Sequence, residues 1–286
     1  MHQALGFAFV LLAGIGFGFL GIFGRLAFQS GLNVGELLTY RFTLAAIILF
    51  TGLLIFNPKL IKIPFKQICI SSALGVFGYA VFSTLYFKSI EGISVPLAAL
   101  LLFTFPIFVN LGAHFVLKEK MKRQQVISLA IASVGLGILL WGPLVVNSLP
   151  SVIYALAAAV AYSIYVLVSG KYQQKVAPLS SSLYVIASAA FALYIFHQPS
   201  FAKVSELSHQ QLYIIFGIAI VSTIGPLGLF LAGLQRLSSS KASIVVMIEP
   251  VVAAFAAWIL LNEQLNGSQL FGAALVMLAL VLNARK

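Results

Sequence analysis

Apolar residues run along this chain in long stretches, separated by short clusters of polar residues, glycine and proline. The stretches fall at about 4–28, 36–56, 67–88, 95–117, 123–143, 150–170, 180–197, 210–233, 241–261 and 267–284. Each approaches the ~20 residues that a helix needs to cross roughly 30 Å of hydrocarbon, so the pattern predicts ten transmembrane helices joined by short loops. An all-α integral membrane fold follows, with no room for a separate soluble domain. The first stretch has no Lys or Arg before it, and Ala4–Gly24 outruns the apolar core of a signal peptide, so it reads as a retained span.

Composition agrees: 61% of residues are hydrophobic and 8% charged, with a mean hydropathy of +1.08, whereas a soluble domain carries about 25% charged residues. The six acids are Glu36, Glu91, Glu119, Glu206, Glu249 and Glu263, and there is no aspartate. Aspartyl proteolysis, phospho-aspartate pumping and Walker-B or EF-hand metal binding are thereby excluded, and no G-x-x-x-x-G-K-[ST] loop exists to hold a nucleotide. The one cysteine, Cys69, lies in an apolar stretch and reads as a packing residue. His2, His114, His197 and His209 are scattered, so no metal site and no cofactor are expected. An enzyme is disfavoured because no nucleophile sits beside an evident base.

Charge sets the orientation. With both termini cytoplasmic, 13 of the 17 basic residues lie on the cytoplasmic side: Lys59, Lys62, Lys66, Lys118, Lys120, Lys122, Arg123, Lys171, Lys175, Arg236, Lys241, Arg285 and Lys286. Arg25, Arg41, Lys88 and Lys203 are the remainder. The positive-inside rule therefore expects a multi-pass protein of the cytoplasmic (inner) membrane. The net charge of +11 reflects topology and contact with the lipid bilayer, not a nucleic-acid surface.

The chain repeats itself. Ser94–Leu140, containing FTFPIF and LKEKM, matches Ser238–Leu282, containing MIEPVV and LNEQL, with Pro106 on Pro250 and Glu119 on Glu263. The offset of 144 residues carries five helices, and five is odd, so the second copy enters the membrane from the opposite side. Residues 1–143 and 150–286 are thus expected to form two inverted five-helix repeats. The charges agree: Lys118, Lys120, Lys122 and Arg123 become Asn262, Gln264, Asn266 and Gly267, while the glutamate is kept. Inverted repeats with little mass outside the membrane indicate a transporter with a site near the midplane.

These residues resemble the drug/metabolite transporter superfamily, and within it the EamA-type transporters of ten helices. Besides the duplication, the resemblance rests on Arg41 in ELLTYRFTLAA, on Pro106-Ile-Phe leading to Leu-Lys-Glu119, and on Ile248-Glu249-Pro250-Val251 leading to Leu-Asn-Glu263. It covers the whole chain. It implies a secondary-active exporter of small metabolites, amino acids or amphiphilic drugs, with a cavity lined mainly by helices 1, 3, 4, 6, 8 and 9.

Glu249, in the middle of span 9, is either the proton-coupling or cavity carboxyl or a hydrogen-bonded lock between helices. Pro106, Pro250 and Pro226 remove an N–H each, leaving the carbonyls of Leu102, Val246 and Ser222 without their helical partner and marking hinges or cavity edges. Tyr79, Ser83, Asn110, His114, Tyr162 and Tyr165 lie at similar depth and are candidate cavity residues, with Asn110 and His114 four apart on one face. Arg25 and Arg41, flanking Glu36, are candidates for an outer gate or a fixed ion pair. Glu119 and Glu263 are expected to order loops near the following helix N-termini. Trp141 and Trp258 read as interface anchors, and the glycines between Gly14 and Gly24 as a smooth packing face. A small-molecule substrate carried by alternating access, with protons as a possible coupling ion, is the expectation; a passive facilitator is the alternative.

Overall fold

A computed structural model describes residues 2–142, 145–199 and 201–284, without the side chains of 201–203. Position 143, where the fifth span was expected to end, and the cations Arg285 and Lys286 lie outside the described residues, as does the side chain of Lys203. Among the described residues ten helices cross the bundle: α1 His2–Gln29, α2 Val34–Phe56, α3 Phe65–Ile90, α4 Val95–Phe115, α5 Arg123–Leu139, α6 Leu149–Tyr172, α7 Pro178–His197, α8 His209–Leu234, α9 Ser239–Leu261 and α10 Gly267–Ala284. Nine have the length and apolarity of a membrane span, and α5, at 17 residues, is slightly shorter. Hydrophobicity fixed the helices because, in hydrocarbon, each backbone N–H and C=O must be satisfied within its own segment.

The polar residues at helix entrances act as caps. Asn33 accepts from the Glu36 amide at 2.9 Å while the Glu36 carboxylate accepts from the Asn33 amide, so α2 begins with a capping box. Ser208 and Gln211 do the same for α8.

The two repeats interlock. Helix α1 packs on α8 and α9, and its counterpart α6 packs on α3 and α4; α2 lies against α7, and α5 against α10. Each principal contact therefore joins one repeat to the other. Small residues permit this. Gly14 faces Ile248 and Gly18 faces Val252, one turn apart on both helices, while Gly16 faces Pro226. Gly21 and Gly24 meet nothing within 4 Å, so the packing face ends after Gly18. Trp141 and Trp258 are exposed near the bundle end opposite the termini. Cys69 is also exposed, contrary to the packing role expected: its side of α3 faces outward, where a small apolar thiol is tolerated by lipid.

Inversion is visible in backbone detail. After α4, Lys118 takes a left-handed φ of 55° and the Glu119 amide donates to the Ala113 carbonyl at 2.9 Å; after α9, Asn262 takes φ 56° and the Glu263 amide donates to Ala257 at 3.3 Å. Both hooks turn through a left-handed residue and close with an amide that reaches the carbonyl six positions back, at the same offset of the repeat and on opposite ends of the bundle. The glutamates thus order these loops through their backbones. Their side chains leave the following helix N-termini alone, which Asn266 caps for α10 and Gln125 completes for α5. Helices α3 and α8 contain matching π-turns, Leu74–Ala80 and Ile220–Ile224. Both α4 and α9 are interrupted, into Val95–Leu102 with Phe105–Phe115 and Ser239–Val245 with Ile248–Leu261.

Two measurements check this packing. A Cβ on Gly18 meets Val252 Cβ at 2.7 Å and the Glu249 carbonyl at 2.9 Å, so Gly18→Ala is expected to cost about 1–3 kcal/mol. Gly21→Ala enters open space and should be neutral or slightly stabilising; equal melting temperatures for the two variants in detergent would contradict the packing. Partial burial raises the pKa of Glu119, whose Oε2 is buried without a hydrogen-bond partner. A carboxyl raised in the folded state is destabilising once pH climbs past its unfolded value. Glu119→Gln should therefore melt higher than the parent at alkaline pH, with the gap closing as pH falls, and a pH-independent gap would refute it.

Candidate functional site

The interruptions in α3, α4, α8 and α9 face the centre of the bundle, where polar side chains from both repeats meet. Arg41, seven residues into α2, is 2% exposed. Its Nε donates to Thr223 Oγ1 at 2.7 Å and its terminal nitrogen to the Ser222 carbonyl at 3.3 Å. That carbonyl is the one Pro226 was expected to free. Thr223 passes its own hydroxyl hydrogen to the Ile218 carbonyl at 2.8 Å, and Ser222 Oγ donates to Gly16 at 2.9 Å, tying α8 to α1. The guanidinium also lies near the Tyr79 hydroxyl. Tyr79 and Thr223 occupy equivalent positions of the two repeats, each within its π-turn. A π-turn widens the helix by one residue and aims a side chain that an α-helix would turn away.

Aromatic rings line the other side. Tyr79 is ringed edge-on by Phe42, Phe82 and Tyr165 at centroid distances of 5.4, 5.2 and 5.5 Å. Tyr162 contacts Phe82 at 4.8 Å and Phe105 at 4.6 Å, and lies parallel to Tyr165 at 6.0 Å. Ser83 is buried one turn beyond Tyr79 on the same face of α3.

Glu249 follows the break in α9. Its amide donates to the Val246 carbonyl at 3.0 Å, so that carbonyl, expected to face a cavity, is instead used in the tight turn. The side chain is partly accessible although its neighbours Ile248 and Pro250 are buried, and it sits within electrostatic reach of Arg41, Tyr79, Tyr86 and Tyr162. No ion pair closes between Arg41 and Glu249: the cation is held by neutral oxygens.

Several expectations need correction. Arg41 is not at the outer rim but two turns deep, because the capped start of α2 at Val34 places it there. Arg25 pairs with Glu263, joining α1 to the hook after α9, rather than with Glu36, which caps α2. Asn110 and His114 part company: Asn110 is buried, donating to Pro106 at 2.7 Å and to Ser243 of α9 at 3.5 Å, whereas His114 is exposed with Nδ1 3.3 Å from the Glu119 carbonyl. The turn between them is the last of α4, which ends at Phe115. The structure gathers Glu249, Tyr79, Ser83, Tyr162 and Tyr165 around one centre. To these it adds Phe42, Phe82, Phe105, Tyr86 and Thr223. Among the described residues no group of three His, Cys or Glu side chains is placed to hold a metal.

A model of the EamA-like transporter family matches twice, over residues 4–141 and 149–285. A protein of Clostridium kluyveri named "Uncharacterized transporter" is 23% identical over 97% of this chain and 92% of its own length. Another of that name, from Archaeoglobus fulgidus, is 28% identical over 95% of each chain, and the "Uncharacterized transporter YcbK" of Bacillus subtilis is 25% identical over 95% of this chain and 90% of its own. A crystal structure of a protein aligns over 98% of this chain and 95% of that one, with a TM-score of 0.77 at 18% identity, and shares the fold. With its inverted ten-helix bundle and both halves matched by one model, this chain belongs to the EamA-like transporter family.

Proposed function

We propose that the protein is a secondary-active exporter of a small metabolite, amino acid or amphiphilic drug, working by alternating access in the cytoplasmic membrane and coupled to protons through Glu249. The carrying observation is the unpaired, partly accessible Glu249 carboxyl, held at the break of α9 opposite a wall of aromatic rings. An intramembrane carboxyl is costly unless it faces a wet space or carries a proton, and such residues mark substrate and proton paths. A carboxyl that holds either a proton or the positive group of a substrate exchanges one for the other. Tyr79, Tyr162, Phe82 and Phe105 present ring faces and edges that suit an amphipathic or cationic group. Arg41, fixed by Ser222 and Thr223, supplies a positive potential that keeps a negative group of a zwitterion oriented.

Alternating access is supported by the pairing of interruptions at equivalent places in inverted repeats, which allows each repeat to adopt the other's conformation. The Arg25–Glu263 pair then serves as a latch on the face opposite the termini. The distribution of Lys and Arg supports placing that face outside and both termini in the cytoplasm.

Purified protein in liposomes, offered pooled amino acids, nucleosides, polyamines and organic cations with and without a pH gradient, tests the proposal by mass spectrometry. Gradient-dependent accumulation of one class is expected. Glu249→Gln should lose gradient-driven transport by roughly tenfold or more while substrate exchange across the membrane persists. Undiminished gradient-driven transport by that variant would refute the coupling role. Movement that only equilibrates, in both proteins, would make the parent a facilitator.

A further inference from the structure

At the bundle end that carries the termini, a cavity of about 450 Å³ opens between the repeats. Lys120 and Lys122, from the loop after α4, and Lys241, from the start of α9, line it together with Gln124, Ser238 and Asn283. Its volume lies in the range of about 300–1,000 Å³ typical of small-molecule sites. We propose that this cavity binds a phosphate-bearing anion, the headgroup of an anionic phospholipid, clamped between the two repeats.

The charge is the first support. Among the described residues, three lysines line the cavity and no carboxylate side chain does. Lys122 and Lys241 are close enough to repel one another. Glu119, adjacent to Lys120 in sequence, is not among the lining residues, and Glu263, its counterpart in the other repeat, is at the opposite end of the bundle with Arg25. Like charges gathered around a formed cavity raise its potential, and an anion relieves their repulsion.

The wall supplies the second support. Asn283 is 2% exposed and its Nδ2 donates to the Lys241 carbonyl at 3.1 Å, but its Oδ1 is buried with no partner. Gln124 is committed through its side-chain nitrogen to the Leu282 carbonyl. Unsatisfied buried acceptors are uncommon in folded proteins, and this one needs a donor: a phosphate oxygen cannot satisfy it, whereas a hydroxyl of a glycerol headgroup can.

A lipid is favoured over a free ion by what flanks the cavity. Val126 and Ile127 follow the lining residues Gln124 and Gln125 on α5, and Leu278 and Val281 precede the lining residue Asn283 on α10; all four are large apolar residues about half exposed. They offer acyl chains a surface continuous with the headgroup site. General attraction between basic loops and an anionic leaflet needs no cavity; here three lysines from both repeats converge on one, so the bound headgroup also joins the repeats on this face. The inference goes beyond transport and does not depend on which solute is carried.

Native mass spectrometry and melting temperature, measured on the detergent-purified protein with phosphatidylglycerol, phosphatidylcholine or inorganic phosphate, provide the test. Phosphatidylglycerol should bind and stabilise in preference to phosphatidylcholine. Lys120→Gln/Lys122→Gln/Lys241→Gln should lose that binding by roughly tenfold or more, and the single variant Lys122→Gln, at an exposed position, should lose part of it with folding undisturbed. Lys59→Gln/Lys62→Gln/Lys66→Gln removes as many charges from the same bundle end, at exposed positions, and should bind as the parent does. Equal loss in this control, or no preference between the two lipids, overturns the site. Equal protection by inorganic phosphate overturns the lipid as its occupant.

Discussion

A guanidinium sealed inside a membrane bundle must find its hydrogen-bond partners within the protein, because hydrocarbon offers none. Arg41 finds them on α8, in the other repeat: a threonine hydroxyl and a carbonyl left open by Pro226 at a π-turn. The arrangement at the centre follows from that requirement. Helix α8 must widen where it does, α1 must approach closely enough for Gly16 to accept from Ser222, and Tyr79 must stand at the equivalent turn of α3. Removing the charge would leave Ser222 and the surrounding polar groups without reason for their geometry.

Interlocking gives this centre its character. Since α1 packs on α8 and α9 while α6 packs on α3 and α4, neither repeat encloses the site alone. The interior charges are distributed unequally between the repeats: the arginine stands on α2 of the first and the glutamate on α9 of the second. At the position of Glu249 the first repeat has Phe105, which packs on Tyr162. Duplication thus produced the frame, and divergence at single positions produced the chemistry. The hooks after α4 and α9 show the same history at the surface, with identical backbone closure but a paired carboxylate at Glu263 and an unpaired one at Glu119.

Much of this was legible in the chain. The ten helices, their ends to within a few residues, and their inversion follow from hydropathy and from the 144-residue offset, because lipid permits few alternatives. Pro106, Pro250 and Pro226 identified the broken helices, since a missing N–H has the same consequence wherever it occurs. Of the two π-turns, Ile220–Ile224 is flagged by Pro226 just after it, whereas Leu74–Ala80 in α3 is followed by no proline and carried no comparable mark. The depth of Arg41 was hidden because the capping box at Asn33 fixes where α2 begins. Facing was the least legible property. Every side of a membrane helix is apolar, so periodicity did not separate outward Cys69 and His114 from inward Asn110.

The central claim is that the repeats exchange conformations about the Arg41–Glu249 centre. Distances between spin labels test it most directly, in a Cys69→Ser background, with one pair at Gln29 and Gln264 near the Arg25–Glu263 pair and another at Lys118 and Lys175 on the opposite face; all four positions are exposed. The account predicts that shifting pH, or adding a transported substrate, lengthens one distance while shortening the other. Two distances that stay fixed under every condition, or that lengthen together, would contradict it.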